Sequence, residues 1–406
     1  MIDQKTLILY TLTFLANLGY GAMIPGLSVH AHSLGASHSS VGMIISAFAA
    51  AQLLTQIPMG RLSDRVGRPS LIAAGFGGVA VAAALYNFAT QPGQFFFLQA
   101  LAGVASGCLW PPLMAMLTDN VGAGERGKVM GTFNTIFFVG VGVGPLLGGY
   151  LASRFGQLAA FNAWAAITAV GGFICLIALK DPAREKTIRG RERTPSKVGG
   201  LSLVKPGLWT TFGAGLVVRS RGGFCTSFNN SLLPLYAVAL YDASPQMIGS
   251  LMFIHGLMLA FFNVPGGMVS DRFGRRMPAL VGSLVATAGV LWYSAPNGYW
   301  ALLVAVGLAG AGSAFSTPAV AALTADVCNP DRRGEAFGYF LTSFNLGMVL
   351  GALIFGFVSD LAGLPGAVFA WGVTSLMLSL FGVAIRETGE AQVGVLPQPT
   401  GAKSAD

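Results

Sequence analysis

Twelve stretches of about 20 predominantly apolar residues recur along the chain, each long enough to cross the hydrocarbon core of a bilayer. They run roughly over 6–30, 39–59, 70–90, 95–117, 129–151, 158–180, 209–239, 246–266, 277–294, 299–321, 336–358 and 365–385. Backbone polar groups facing lipid have no water to bond. A spanning segment therefore pairs its own backbone as a helix or closes into a barrel. A barrel would show ten-residue segments of alternating polarity, and the sequence has none. The pattern predicts an all-α membrane protein with twelve transmembrane helices. Charged residues make up 10% and hydrophobic residues 53%, with a mean hydropathy of +0.66. A soluble globular protein would carry roughly 25% charged residues, and a disordered chain would lack this apolar surface. Cys108, Cys175, Cys225 and Cys328 lie well apart inside apolar runs, which excludes a disulfide framework. The first residues pass straight into the first span without a small-residue cleavage pattern, so that span reads as a retained helix.

The formal charge of +8 has a topological explanation. An even number of spans puts both ends on one side, together with the loops at 60–69, 118–128, 181–208, 267–276 and 322–335. All Lys and Arg residues except Arg154, Arg219 and Arg221 fall on that side. The positive-inside rule makes it cytoplasmic, so the charge speaks of topology and lipid headgroups rather than nucleic acid. The expectation is a multi-pass protein of the plasma (inner) membrane with both termini cytoplasmic.

The longest polar stretch, 181–208, divides the spans six and six. The organisation read from this is an N-terminal bundle over 1–180, a cytoplasmic linker over 181–208, a C-terminal bundle over 209–386 and a disordered cytoplasmic tail over 387–406. The halves repeat at an offset of 207. Pro58, Gly60, Ser63, Asp64, Arg65, Gly67 and Arg68 meet Pro265, Gly267, Ser270, Asp271, Arg272, Gly274 and Arg275. Further on, Gly103, Pro111, Asp119, Arg126, Gly140, Gly144 and Gly149 meet Gly310, Pro318, Asp326, Arg333, Gly347, Gly351 and Gly356. Both repeats begin on the same side, so they are parallel repeats about an axis along the membrane normal, an architecture used by alternating-access transporters.

On these residues the chain resembles the major facilitator superfamily over nearly its whole length, a resemblance that also implies a monomer. Gly60–Pro69, G-R-L-S-D-R-V-G-R-P, matches the family's cytoplasmic signature G-x-L-x-D-[RK]-x-G-R-[RK] except at Pro69. Gly140–Gly149, G-V-G-V-G-P-L-L-G-G, matches the antiporter signature of the drug and metabolite exporter branch in the fifth span. The resemblance implies that Asp64 lies near the start of the eleventh helix, where a helix dipole favours an anion. Arg65 or Arg68 then pairs with Asp119. Gly60, Asp64, Arg65, Gly67, Arg68 and Asp119, with Asp271, Arg272 and Arg275 in the second half, form a cytoplasmic gate on this view; loop charges that merely set topology are the alternative. Gly140, Gly144, Pro145, Gly148 and Gly149 make either a hinge between the halves or a plain close-packing face.

All sixteen acidic residues lie in loops, tails or span ends. The helix-4 position where the family pattern places an arginine is Gln99, four before Gly103, so the usual carboxylate and arginine proton relay is not visible. Arg219 and Arg221 instead lie within the seventh span. A cation at that depth costs about 2.5–3.5 kcal/mol or more and is by default a functional candidate. Residues two apart on a helix point roughly 200° apart, so one arginine is expected to contact substrate while the other snorkels or pairs. The alternative is a later helix start that leaves both at the interface. His255, in the eighth span, either carries a coupling proton or is a neutral interhelical hydrogen-bonding group. His30, His32 and His38 lack the spacing of a metal site. The resemblance puts spans one, four, seven and ten around the cavity, which adds Asn17, Tyr20, Gln99 and Asn229 as lining candidates and Trp110 and Phe224 as an apolar wall.

Metal-ligand, nucleophile–base and phosphate-loop motifs are missing, so neither an enzyme nor an ATP-driven pump is expected, and no cofactor or metal is called for. The reading is a secondary active transporter that moves a small amphipathic or anionic organic molecule out of the cell. The alternatives are a proton-coupled exporter of neutral or cationic lipophiles and an importer or exchanger of an organic anion or sugar.

Overall fold

The computed structural model describes residues 4–119, 126–179, 202–294, 298–329 and 332–387, without the side chains of Asp64, 118–119, 126–128 and 333–334. Twelve α-helices are present among the described residues. The first half contains α1 (Gln4–Ser33), α2 (His38–Val66), α3 (Arg68–Leu85), α4 (Pro92–Asp119), α5 (Arg126–Phe155) and α6 (Gln157–Ala178). The second contains α7 (Trp209–Ser231), α8 (Leu233–Tyr241), α9 (Pro245–Phe273), α10 (Arg276–Trp292), α11 (Tyr299–Val327) and α12 (Arg333–Leu380). Nine of these helices are long and apolar enough to cross a membrane. The remaining passes have physical reasons for escaping that count. Arg219, Arg221 and the polar run Asn229, Asn230 and Ser231 at its end make α7 less apolar, and Pro234 breaks this pass into α7 and α8 at Leu232. Helix α10 has only 17 residues. Helix α12 holds two passes, divided where Gly363 turns to φ 73°. The fold is thus twelve transmembrane helices in two parallel six-helix repeats.

Several helices outrun the apolar stretches that announced them. Helix α2 continues from the membrane through Gly60–Val66 before Gly67, at φ 100°, ends it. Gly274, its equivalent, ends α9 at φ 83°. The offset of 207 governs local structure as well as residue identity. Ser37 and Ser244 are both N-caps, accepting from Ser40 N and Met247 N. Each satisfies an amide that the first helical turn leaves open. Gly156 and Gly363 make equivalent breaks, and Gly35 and Asp242 share a positive φ.

The end carrying Gln4 and Glu387, the first and last described residues, is here called the terminal end, and the opposite one the distal end. At the distal end one apolar core runs through both halves, from Met23, Leu27 and Phe48 to Phe228, Phe355 and Trp371. At the terminal end the halves have separate cores, one around Leu9, Phe76 and Leu113, the other around Val204, Phe212 and Val327. Residues 202–208, read as the end of the linker, are pinned to the second half: Val204 forms an isolated antiparallel bridge with Cys328, and Lys205 N donates to Val327 O at 2.9 Å. Glu387, read as the start of the tail, accepts from Arg275 N and Arg276 N at 2.9 and 3.1 Å, capping α10. The rest of the linker and tail lies outside the described residues.

Candidate functional site

The halves meet through α2 against α12 and α5 against α9. A Cβ on Gly42 would run into the Ala352 carbonyl, and one on Gly249 into the Pro145 carbonyl. A Cβ on Gly356 would meet His38 O at 2.8 Å, and one on Gly149 would run into the Pro245 carbonyl. Each contact is the other's copy at the offset of 207, so the two halves are related by a pseudo-two-fold axis. Gly142 faces Gly256 at mid-height on the α5–α9 contact. Within the halves, α1 packs on α5 and α7 on α12 just as closely: Gly144 abuts Leu18 O and Gly148 abuts Ala22 O. The helix-5 glycines therefore split by role. Gly140, Gly144 and Gly148 face α1, Gly149 faces α9, and Pro145 touches both, its ring against Gly21 of α1 and its carbonyl against Gly249 of α9.

Hydrogen bonds between described residues of the two halves all lie in the distal part. Ser28 donates to Asn230 O at 2.6 Å and Ser46 to Val349 O at 3.0 Å. Tyr20 hydrogen-bonds the Asn230 side chain. Toward the terminal end, α2 borders a recess of about 310 Å³ lined by Pro58, Arg61, Leu62 and Arg65.

Arg219 and Arg221 leave α7 toward different neighbours. Arg221 is 2% exposed, and its Nη2 donates to Ser313 Oγ on α11 at 3.0 Å. Its Nε and Nη1 have no partner. The Arg219 guanidinium lies between two rings of α12, 4.5 Å from the Phe340 centroid and 4.3 Å from that of Phe344, within range of cation–π attraction. Its Nε is also unpartnered. Neither arginine makes an ion pair among the described residues. Both border a cavity of about 10 Å³, room for about one water, with Ser316 and Thr317 across it. His255 on α9 is half-buried, its Nδ1 3.4 Å from Val306 O, and lies within reach of the Arg221 charge.

The other lining candidates are spread through both halves. Gln99 is fully buried, with both polar side-chain atoms unpartnered. Tyr20 stacks on Phe48 at 4.8 Å. Asn17 donates to Thr13 O, one turn back in α1. Asn229 reaches Cys225 Sγ, and its Oδ1 is left without a partner. Trp110 packs on Phe137 at 5.5 Å within the first half, and Phe224 stacks with Trp371 at 6.3 Å within the second. Phe224 belongs to the distal core shared by the halves, and Trp110 is half-buried against the terminal core of the first half.

At the terminal end of the second half, Arg275 Nε donates to Asp326 Oδ2 at 3.0 Å while Nη1 engages Asp271. Burial works against the Arg275 charge, but the two carboxylates outweigh it and raise its pKa above the ordinary value. Arg272 reaches over the Phe273 ring. In the first half, Arg65 is exposed, and Gly60 lies beside Pro111. Arg68 is engaged by a neighbour. The side chains of Asp64 and Asp119 lie outside the described residues.

Sequence reasoning passed over Ser313, Phe340 and Phe344, which come to the arginines from other spans. It also passed over Asp360, which joins the halves at the distal end. A signal for Asp360 was present: with Asp242 it is one of two acids at the distal end, while the other acids among the described residues fall at the terminal end.

The Major Facilitator Superfamily family model matches the chain twice, over residues 9–242 and 222–404. The uncharacterised MFS-type transporter MJ1560 of Methanocaldococcus jannaschii is 26% identical over 364 residues, covering 89% of this chain and 93% of that one. Quinolone resistance protein NorA of Staphylococcus aureus is 23% identical over 360 residues, covering 88% and 91%. A solved bacterial homologue of the human lysosomal transporter Spinster, in an inward-facing and unoccupied conformation, superposes with a TM-score of 0.78 at 17% identity, covering 95% of this chain and 97% of that one. With two matched repeats, reciprocal contacts between halves and this shared fold, the chain belongs to the major facilitator superfamily and is a membrane transporter rather than an enzyme.

Proposed function

We propose that this transporter exports a small amphipathic organic anion by alternating access. The observation that carries the reading is Arg221, 2% exposed with two free donor nitrogens and without an ion pair among the described residues. A buried cation without a counter-charge is costly. A substrate that brings a carboxylate, sulfonate or phosphate supplies the missing charge, and a guanidinium grips such groups by charge-assisted bonds. The Phe340–Arg219–Phe344 stack offers apolar surface beside the charge, which suits an amphipathic molecule. Gln99, Tyr20, Asn17 and Asn229 are assigned to the polar lining and His255 to the coupling proton. The cytoplasmic gate comprises the Gly60–Arg68 turn with Asp119 and its repeat at Asp271, Arg272 and Arg275.

The basic terminal end is read as cytoplasmic, with the bundles over 1–180 and 209–386 rocking about their shared distal contact. One core at the distal end and two at the terminal end support a conformation open to the cytoplasm. Export is supported by the antiporter motif in α5 and by the resistance function named for NorA.

Thermal unfolding of the detergent-solubilised protein with a panel of anionic, neutral and cationic amphiphiles tests this. A ligand at a hundredfold excess over its dissociation constant stabilises by about 2.7 kcal/mol. Anions should protect the wild type and leave Arg219→Ala/Arg221→Ala unprotected. Equal protection of both by neutral or cationic lipophiles would overturn the anion assignment.

A further inference from the structure

At the distal end the start of α2 is capped from the other half of the protein. Asp360, three residues before the Gly363 break in α12, accepts from His38 N through Oδ1 at 2.9 Å and from Ser39 N through Oδ2 at 3.0 Å. The Ser39 hydroxyl donates to the same carboxylate. His38 Nδ1 lies 3.5 Å from Oδ1 and 3.0 Å from Ser359 Oγ, and the His32 ring stacks on the His38 ring at 5.2 Å. These two amides belong to the first turn of α2, where no intrahelical acceptor exists and the helix dipole favours an anion. Both carboxylate oxygens are therefore used across the boundary between halves.

The pseudo-two-fold axis shows what is special here. Gly42 on Ala352 repeats as Gly249 on Pro145, and Gly356 on His38 repeats as Gly149 on Pro245. The residue equivalent to Asp360 is Ser153, and the residue equivalent to His38 is Pro245, which has no N–H to give. The polar latch exists on one of two otherwise matched interfaces. Small-residue packing closes the distal end on both sides of the axis, and charge closes it on one.

We propose that Asp360 is a positioning residue of the transport cycle, the distal latch that holds the present conformation and must let go of the α2 N-terminus for the distal end to open. This rests on the alternating-access reading above. The latch is worth roughly tenfold in the balance of the two conformations, the scale of a helix-capping charge. It acts without touching substrate.

The test uses the full chain with a reporter cysteine at Ser46, buried in the distal interface, and a membrane-impermeant maleimide applied from the distal side. Two variants break the latch from opposite halves. Asp360→Asn removes the charge, and His38→Pro removes one donor by installing the residue that the repeat carries at Pro245, a favourable one at a helix start. Both should raise the labelling rate of the Ser46→Cys protein by about tenfold, with an unshifted melting temperature in detergent, and Asp360→Glu should restore slow labelling. Unchanged labelling in both folded variants would overturn the proposal, as would failure of both to fold, which would make Asp360 a structural cap. A third variant, Gly42→Leu, forces the interface apart by bulk alone. Labelling there without labelling in the latch variants refutes the latch and leaves alternating access standing. Labelling in none of the three refutes both.

Discussion

Replacing Arg221 with methionine and Ser313 with alanine together should make the protein more stable, and this sign is the sharpest check on the reading of Arg221. The guanidinium sits 12 residues into α7, about 18 Å from its start at 1.5 Å per residue. Holding a cation at such depth costs about 2.5–3.5 kcal/mol. The one hydrogen bond that Arg221 makes, to Ser313, returns about 1.5–3 kcal/mol. Changing both partners to apolar side chains leaves no orphaned hydroxyl, and methionine fills the space of the arginine stem. The difference is about 1 kcal/mol in favour of the double variant, a rise of about 1–3 °C in melting temperature by the scaling of large domains. Intrinsic fluorescence or a thiol-reactive dye during heating in detergent reads it. The same variant should lose all protection by anionic ligands. A fall of 3 °C or more would refute the argument, because it would mean that the two free nitrogens of Arg221 are satisfied by something structural. The arginine would then hold the fold together rather than wait for a ligand.

Gly148→Val should abolish recovery of monodisperse protein in size-exclusion chromatography, since its Cβ would overlap the Ala22 carbonyl; Gly77→Ala, with nothing within 4 Å, should leave the profile unchanged. Gly249→Ala should raise distal labelling of the Ser46→Cys reporter, because the new methyl meets Pro145 in the other half. Gly282→Ala, crowded at 2.8 Å by Gly312 of its own half, should lower melting temperature without that change. Asp326→Asn should slow turnover by about ten- to a hundredfold in proteoliposome flux, from loss of about 1.5–3 kcal/mol in the charge-assisted bond to Arg275. Unaltered turnover would show that this cluster plays no part in the rate-limiting rearrangement.

Hydropathy located every pass because the lipid core imposes its own thickness on the sequence. It misplaced helix ends, because a helix does not stop where lipid stops: α2 runs on through Arg61, Ser63 and Arg65. The internal repeat was legible in glycines, prolines and charges, and its reach proved greater. Tyr86 and Tyr293, and Trp164 and Trp371, also stand at the same offset, each with its hydroxyl or indole nitrogen buried and unpartnered. The divergence of Arg219 and Arg221 follows from helical geometry alone. Their destinations did not, since Phe340, Phe344 and Ser313 lie roughly 90–125 residues away in sequence and nothing local marks them. For Phe224 and Trp110, residue type did not reveal the packing partners, Trp371 and Phe137, which come from other helices.

The matched contacts between halves have a consequence for how such a chain came to be. A surface that meets its own copy by the same glycines is self-complementary, the condition for a symmetric dimer. Two copies of one six-helix half, unlinked, could close the distal end through Gly42-type and Gly149-type contacts without a second sequence to recognise. What such a homodimer cannot have is a latch on one of its two symmetry-related interfaces and not on the other. In one chain, position 360 is aspartate while position 153 is serine, and position 245 is proline while position 38 has an amide to give. A fused chain can therefore set the strength of its distal closure at one interface while the other keeps plain packing.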